Sequence, residues 1–600
     1  MTKKQRSFFT RLLSSELTPI NLEYRADRVS VALAVVLAGL LAATSMNGSL
    51  WLDELHSTWC ATGTWTDVSE RATIGNQLSP YFRLLWLTGK NFGETEAWWR
   101  VPSLLAWLAS IATAGYWLAK HAPNRGVCVL GLIVFDRAQA FYATEARPYA
   151  LMSLFVLWSW LALARWSEIW FFPSNPRLEN GARRWRSLAW WSTWPMGWTI
   201  WCGLNGIAFW LQPIALLCVA SQFVYLSAIC VAASRFSSLK DLGIRGLPIA
   251  LAALVILAIT APAFASLVPV WEHRQQWAAF ASDYSVARIA QLLPFAALLV
   301  PIILGMTLGM IMSRWSRSPR VVSSLRDNEL QPQSNKSQNN ESHTEDALSN
   351  NRRFNNRRFD RRQRAQWLWL CAWSLPCLCV VALTASGVAP LMHRRYVIAA
   401  SIPLVLWYAC SWVEWSTRVR GWVLVASIVV LLHYQNSLVD AARGRWSVAL
   451  RGEDWRGAIA WVQQRVDHDR PLTVYCASNL IEGARSVPAQ GLVGEYLTLT
   501  LRSIYRVGPS PSRSETGEAP KSIPQLVPLA NDPRRWPATI RATRMADDGL
   551  SQFNRQEWLL VRCSSVALAR SLRNNGLQAG KQADFGGVQV LGELGFKEIR

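Results

Sequence analysis

Acidic side chains are scarce: 39 Asp and Glu face 62 Lys and Arg in 600 residues, a formal net charge of +23. Such a surplus would suggest a nucleic-acid partner if it lay on one face of a soluble domain, and the basic residues do not fall that way. Histidine is sparse too, 7 in all, and neither His56 nor His393 has a partner at metal-ligand spacing. Glycine never gathers into a phosphate-cradling loop beside the strand-like segments, so a nucleotide site is not supported. The eleven cysteines contain no CxxC pair, and Cys377 and Cys379 are too closely spaced for a metal or redox site. Cys128, Cys202, Cys218, Cys230, Cys371 and Cys410 lie in apolar segments, where thiols behave as small hydrophobes. Cys476 and Cys563 leave both a pair and two free thiols open. No cleavable signal peptide and no internal repeat is visible.

What is abundant is apolar. The chain is 51% hydrophobic with a mean hydropathy of +0.12, yet 17% charged, the mixture of a multi-span membrane protein with sizeable polar parts. Its 34 tryptophans suit the headgroup zone, where the ring is buried and the N–H stays wet. Val29 to Met46 is long enough to cross a hydrocarbon core of roughly 30 Å. Further candidate spans are Trp98–Ala119, Gly126–Phe141, Tyr149–Trp166, Trp190–Gly206, Ile207–Ala233, Leu247–Val270, Arg288–Ser313, Trp367–Gly387, Tyr396–Val413 and Gly421–Leu438, about eleven transmembrane helices in all.

The basic residues follow that count. Lys3, Lys4, Arg6, Arg11, Arg25 and Arg28 put the amino end (1–28) in the cytoplasm by the positive-inside rule. The implied inner loops carry Lys120 and Arg125; Arg165, Arg177, Arg183, Arg184 and Arg186; Arg235, Lys240 and Arg245; and Arg418 and Arg420. Residues 314–366, rich in Ser, Asn and Gln around a repeated Asn-Arg-Arg-Phe, read as a disordered basic cytoplasmic linker. Its arginines suit anionic membrane lipids at roughly 1 kcal/mol each, and no nucleic acid is called for.

Residues 29–313 form the main membrane module and 367–438 its last helices. An outer loop (47–97) holds a short interfacial helix, with Ser79 as N-cap, Pro80 in its first turn and Gly89 at its end. Residues 439–600 read as a small extracytoplasmic α/β domain. It opens on an Asp454-capped helix from Trp455 to Val466, with strands at Leu472–Cys476 and Trp558–Cys563, and a Ser564-capped helix stopped by Gly576. The predicted fold is thus an α-helical polytopic membrane protein with a C-terminal α/β domain, multi-pass in the inner (plasma) membrane.

Three distant stretches meet on the outer face by topology alone. Asp53 and Glu54 follow the first span directly, with His56 beside them, and a carboxylate near hydrocarbon is costly enough to suggest a task. Glu145, Arg147 and Tyr149 lie between the third and fourth spans, with Asp136 and Arg137 at the end of the third. Arg394, Arg395 and Tyr396 follow His393 on the side where the positive-inside rule disfavours arginine. Arginine suits a phosphate through two parallel charge-assisted hydrogen bonds. Trp190, Trp194, Trp198 and Trp201 make a helical stripe, read as packing and lipid contact.

The acidic pair, Ser79-Pro80-Tyr81, Phe92-Gly93-Glu94-Thr95-Glu96, Arg100-Val101-Pro102-Ser103-Leu104 and Glu145-Ala146-Arg147-Pro148-Tyr149-Ala150-Leu151 together resemble the GT-C membrane glycosyltransferases. Within them the likeness is to the bacterial branch akin to protein mannosyltransferases and the lipid A aminoarabinose transferase. It covers residues 29–240 well and the later spans loosely, and the tail's Glu453-Asp454-Trp455-Arg456-Gly457-Ala458 is similar to the extracytoplasmic end of some of these proteins. Many relatives carry a His-Pro-Pro-type run where this chain has Gln77-Leu78-Ser79-Pro80.

The resemblance implies a polyprenyl-phosphate-linked sugar as donor and inverting transfer to a lipid, glycan or protein hydroxyl on the outer face, and it leaves a divalent metal open. Residue chemistry suits that scheme. Asp53 is the candidate general base, with Glu54 positioning or binding the acceptor. Arg147, Tyr149, Arg394, Arg395 and Tyr396 are candidates for the donor phosphate, with His56, Asp136 and Glu145 as further site residues. The rival readings are a lipid or solute transporter or flippase, against which the surface placement of the charges argues, and a non-catalytic scaffold presenting the tail domain.

Overall fold

The structure is a computed structural model. It describes residues 22–121, 127–171, 196–234, 239–272, 285–292, 341–411, 417–437, 452–467, 470–480, 491–507, 524–546, 555–563 and 576–596, with a few isolated positions between them.

Helix α1 (Leu22–Met46) is the first span and leads into three short helices, α2 (Leu52–Ala61), α3 (Asp67–Ile74) and α4 (Pro80–Phe92), before the long α5 (Glu96–His121). Leu33 and Leu40 of α1 stand exposed while Ala38 and Ala42 are buried, the division expected of a helix with lipid on one side and small residues packed on the other. Helix α4 runs past Gly89, its expected end, to Gly93, which caps it at φ 98°. Gly89 serves packing instead: a Cβ there would lie 2.5 Å from the Trp99 ring.

The expected third span, Gly126–Phe141, is broken. It consists of a 3-10 turn at Val127–Leu130, α6 (Gly131–Val134) and α7 (Arg137–Ala143). The break lies at Asp136, whose carboxylate accepts the Ala138 N–H at 3.0 Å as N-cap of α7. A side chain that bonds the local backbone competes with continuous helix at that point. The path still runs the length of its neighbours, because Leu130 packs near Gly115 and Val31 while Arg147, just beyond α7, meets Ser103 at the other end of α5.

Helix α8 (Tyr149–Phe171) follows. A helix over 196–211 (α9) continues straight through Gly206, where a boundary was expected, and stops at Gln212 before the 3-10 turn Pro213–Ala215. Proline breaks the helix, whereas Gly206 lets Ile259 approach to 2.6 Å of where a Cβ would sit. Then come α10 (Leu216–Ser234), α11 (Leu239–Glu272), α12 (Val286–Leu292), α13 (Glu341–Ala385), α14 (Ser401–Ser411) and α15 (Thr417–Tyr434). Most of the expected span Arg288–Ser313 lies outside the described residues. Helix α13 starts at Glu341, inside the stretch 314–366 expected to be a disordered linker, the earlier part of which lies outside the described residues; a helix extended from an anchored apolar segment needs no new nucleus. Among the described residues six helices are long and apolar enough to cross a membrane, and Ile398–Ser411 and Gly421–His433 are shorter apolar ones.

Tryptophan is more than a belt residue here. Trp59, Trp99, Trp107, Trp160, Trp166, Trp201 and Trp369 are among the largest fully buried side chains. Of the Trp stripe, Trp201 donates to Gln222 at 2.6 Å and Trp198 to the Pro248 carbonyl at 3.2 Å; Trp190 and Trp194 lie outside the described residues.

The tail is a mixed α/β domain. Helix α16 (Trp455–Gln463) is capped by Asp454, which accepts the Gly457 N–H at 2.9 Å, and buries Trp455, Ala458, Ile459 and Val462. Five strands, β1 (Leu472–Ala477), β2 (Gln525–Pro528), β3 (Gln556–Arg562), β4 (Leu577–Phe585) and β5 (Val588–Phe596), stand in the order β2-β1-β3-β5-β4. The β2-β1-β3 pairs are parallel and the others antiparallel. All six residues of β1 are buried, as befits a central strand covered on both faces. Helices α17 (Gly491–Leu497) and α18 (Trp536–Ala546) complete it. Cys476 and Cys563 are free thiols. Most of the expected Ser564 helix lies outside the described residues.

Candidate functional site

The site lies where α1 ends and α5 and α8 begin. A strap, residues 47–51, links α1 to α2, and Trp51 in extended conformation is the N-cap of α2. Asp53 and Glu54 fall in its first turn, where the helix dipole favours negative charge. Successive helical residues turn by about 100°, so neighbours in sequence face different surroundings.

Glu54 points inward and is fully buried. Its carboxylate is clasped by Arg100, Nε to Oε1 and Nη2 to Oε2, both at 2.7 Å. It also accepts the Ala146 N–H at 3.0 Å and the Trp51 N–H at 3.4 Å. Arg100, equally buried, spends its remaining donors on the carbonyls of Ser45, Met46, Gly48 and Ser49, at 2.7 to 3.2 Å. A buried charge needs this degree of pairing. Glu54 therefore joins the end of α1, the start of α5 and the 145–147 loop at one point, sealed from solvent.

Asp53 points the other way. Its side chain keeps 30% exposure, with Arg147 Nη2 at 3.9 Å and Arg395 Nη1 at 4.0 Å from Oδ2. Burial would push its carboxyl up, but Arg147, Arg395, Arg562 and His56 together outweigh that and hold it below the usual carboxylate range. Arg147 also donates to the Asp53 carbonyl at 3.4 Å. The loop carrying it is anchored by Ala146 on Glu54 and by the Ser103 hydroxyl, which donates to the Arg147 carbonyl at 2.9 Å. Its guanidinium lies 5.8 Å from the Tyr149 ring centroid, and its Nε is buried with no hydrogen-bond partner among the described residues.

Arg395 comes from a 3-10 turn, Arg394–Tyr396, capped by His393, whose Nδ1 accepts the Arg395 N–H at 3.3 Å. Its guanidinium donates to the Tyr396 hydroxyl at 3.0 Å and lies 5.0 Å from that ring centroid. Burial, with Arg395 and Arg288 nearby, lowers the His393 pKa to about 4, so the ring is neutral and free to accept.

Arg394 lines a separate cavity of about 290 Å³ with Arg137, Phe141, Tyr142, Arg288 and His393. Phe141 and Tyr142 bridge it to the first cluster, through ring contacts with Trp51 at 6.0 Å and Tyr149 at 5.2 Å. The structure thus gathers Asp53, Arg147, Tyr149, Arg395 and Tyr396, with the Arg394 cavity beside them.

The other expected residues are held in contacts of their own. Asp136 is buried and bonded to Gln435 Nε2 at 2.7 Å, and Gln435 in turn holds the Arg137 N–H and side chain. Glu145, in the same loop as Arg147, is buried. His56 is packed against Phe82 (5.7 Å) and Tyr496 (5.6 Å), with Cys60 Sγ at 3.4 Å. Burial, with Arg147 nearby, lowers its pKa to about 3. Among the described residues no three His, Cys, Asp or Glu side chains gather where they would hold a metal ion.

Arg288 and the roles of Arg100 and Arg137 are not evident from sequence. Arg100 stands in the Arg100-Val101-Pro102-Ser103-Leu104 run, and its signal is a lone arginine near the start of an apolar helix. Arg288 opens a segment counted as a span, so its charge read as a boundary.

No family model matches the chain, and no curated protein matches it. Among solved structures it is similar to ArnT from Cupriavidus metallidurans in the apo state, at TM-score 0.48 and 11% identity over 94% of this chain and 98% of that one. It is also similar to ArnT from the same organism bound to undecaprenyl phosphate, at TM-score 0.46 and 13% identity over 94% of this chain and 97% of that one.

Proposed function

We propose that the protein is an integral-membrane inverting glycosyltransferase that moves a sugar from a polyprenyl-phosphate donor to an acceptor hydroxyl on the extracytoplasmic face. The observation that carries this is Asp53, a part-exposed carboxylate beside two charged arginines, Arg147 and Arg395, at the end of an apolar helix bundle. A base, a set of phosphate-binding cations and a hydrocarbon surround are what this chemistry requires.

In the reaction, Asp53 takes the proton of the acceptor hydroxyl as its oxygen bonds the anomeric carbon from the face opposite the leaving group. The bond from that carbon to the phosphate oxygen breaks, and the electron pair leaves on the lipid phosphate. A phosphate leaves as an anion and needs cations rather than an acid, and Arg147 and Arg395 supply them, with Tyr149 and Tyr396 as added donors. Arg394, in the adjoining cavity, extends this cationic surface toward the lipid-linked part of the donor. Asp53 is held ionised by these same cations, which keeps it competent as a base in a site partly closed to water. Glu54 in this reading is a positioning residue: it fixes the start of α2 and the Arg147 loop together. The charge distribution supports an inner-membrane placement with the amino end in the cytoplasm and residues 439–600 outside.

The test is to incubate purified protein with polyprenyl-phosphate sugars of defined anomeric configuration and a panel of hydroxyl acceptors. Stoichiometric release of lipid phosphate with a product of opposite configuration is expected. Movement of intact donor across vesicles without release would favour the transporter reading.

A further inference from the structure

The tail domain does more than sit beside the site, because it holds the strap that leads into the first turn of α2, where Asp53 stands. Four backbone or side-chain groups in residues 47–52 are bonded by tail residues. The Arg456 side chain donates to the Asn47 carbonyl and its N–H to the Ser49 hydroxyl, each at 3.2 Å. The Tyr505 hydroxyl accepts the Leu50 N–H at 2.9 Å, and Glu453 Oε2 accepts the Leu52 N–H at 3.1 Å.

Each of these tail groups is itself held. Glu453, its side chain only 7% exposed, is paired with Arg562 of β3 at 2.7 Å and accepts the Trp455 indole N–H at 2.9 Å. Tyr505 and Arg456 both meet Glu96 of α5 at 3.0 Å. Arg100 bonds the Gly48 and Ser49 carbonyls of the same strap from the bundle side. The unsatisfied N–H groups of a helix start are normally served by its own cap or by water; at α2 one is served by a carboxylate some 400 residues away in sequence.

We infer that Glu453 and Arg562 are positioning residues for transfer: the tail domain clamps the first turn of α2, so Asp53 is set in place only when that domain is docked. This rests on the reading of Asp53 as base. Arg562 also adds to the positive surroundings of Asp53, after Arg147 and Arg395, while Glu54 is spent on Arg100.

The experiment uses the full chain in detergent, as wild type and as Glu453→Ala, Glu453→Gln, Arg562→Gln and Arg562→Lys. Hydrogen exchange at the amides of residues 50–56 is read alongside kcat, KM for donor and the pH profile of lipid-phosphate release. A hydrogen bond to a charged group is worth enough that Glu453→Ala should speed exchange at Leu52 by about tenfold or more. It should lower kcat by a similar factor with donor KM changed less than about threefold, since the phosphate-binding arginines are untouched.

Arg562→Gln should move the acid limb of the profile to higher pH, because the base loses a cation that favours its ionised form, and Arg562→Lys should restore it. Protection retained at Leu559 and Val590 shows that the sheet is folded, and Glu453→Gln, which keeps shape and an acceptor, serves if Glu453→Ala loses that protection. Wild-type exchange at Leu52 with wild-type kcat in the folded variants overturns the clamp. If wild type releases no lipid phosphate at all, the transferase reading fails, and the exchange result still decides whether the tail holds α2.

Discussion

Removing either member of the Glu54–Arg100 pair should cost far more than an ordinary surface ion pair. Both side chains are wholly buried, at 0% exposure, and joined by two bonds of 2.7 Å. Breaking such a pair from one side leaves an uncompensated charge and typically costs about 3–5 kcal/mol. Glu54→Gln keeps the shape and one acceptor and belongs at the low end. Arg100→Met also strands four carbonyls that Arg100 serves, each worth about 1 kcal/mol or more when buried, and belongs at the high end or beyond.

The double variant should be less unstable than the sum of the two, with a coupling of about 2–3 kcal/mol, since with both charges gone neither is left buried without its partner. Because Glu54 also holds the Ala146 N–H, Glu54→Gln should loosen α2 and the Arg147 loop together. A displacement of about 1 Å can cost on the order of a hundredfold in rate, so kcat should fall by about that factor. Apparent unfolding midpoints in detergent, a double-mutant cycle and exchange at Ala146 would measure this. Additive energies, or wild-type exchange at Ala146 in Glu54→Gln, would refute it.

Arg147→Ala should raise KM for the lipid-phosphate donor and lower kcat/KM by about tenfold to a hundredfold, with Arg147→Lys recovering part, because a lysine lacks the planar fork. Gly89→Ala should destabilise by about 1–3 kcal/mol, since the new Cβ would lie 2.5 Å from the Trp99 ring; thermal unfolding checks it, and Trp99→Leu should relieve the clash. Acid should weaken the region around α2 through His56, whose pKa is lowered to about 3 from an ordinary 6.5. Between those values the unfolded state binds a proton that the folded state refuses. Stability is therefore full above about pH 6.5 and is lost on acidification, at up to about 1.4 kcal/mol per pH unit. His56→Asn should flatten that slope in a pH series of unfolding midpoints.

Much of the helical plan was legible, because long apolar runs report spans directly and Asp53 stands out as a carboxylate at the edge of one. The division of labour between Asp53 and Glu54 was not. Hydropathy sees two adjacent acids, while one turn of helix sends one toward the arginines and the other onto Arg100. The broken third span was hidden for a similar reason: Asp136 caps a helix inside an apolar run, and composition averages over it. Gly89 and Gly206 looked like stops but serve close approach, by Trp99 and Ile259. The arginines of the cavity and the tail residues on the strap come together only through tertiary packing, so no local pattern announces Arg288 or Arg562, and the run from Glu453 to Ala458 stood out without its contact to α2.

The most direct test of the central claim is the rate of lipid-phosphate release by Asp53→Asn. That variant keeps the size of the side chain and its place in the first turn of α2, and it removes the proton acceptor. General-base catalysis contributes about 10²–10⁴-fold, so release should fall by that factor while donor binding, by Arg147 and Arg395, persists. Turnover within about threefold of wild type in a folded, donor-binding Asp53→Asn protein would contradict Asp53 as the base.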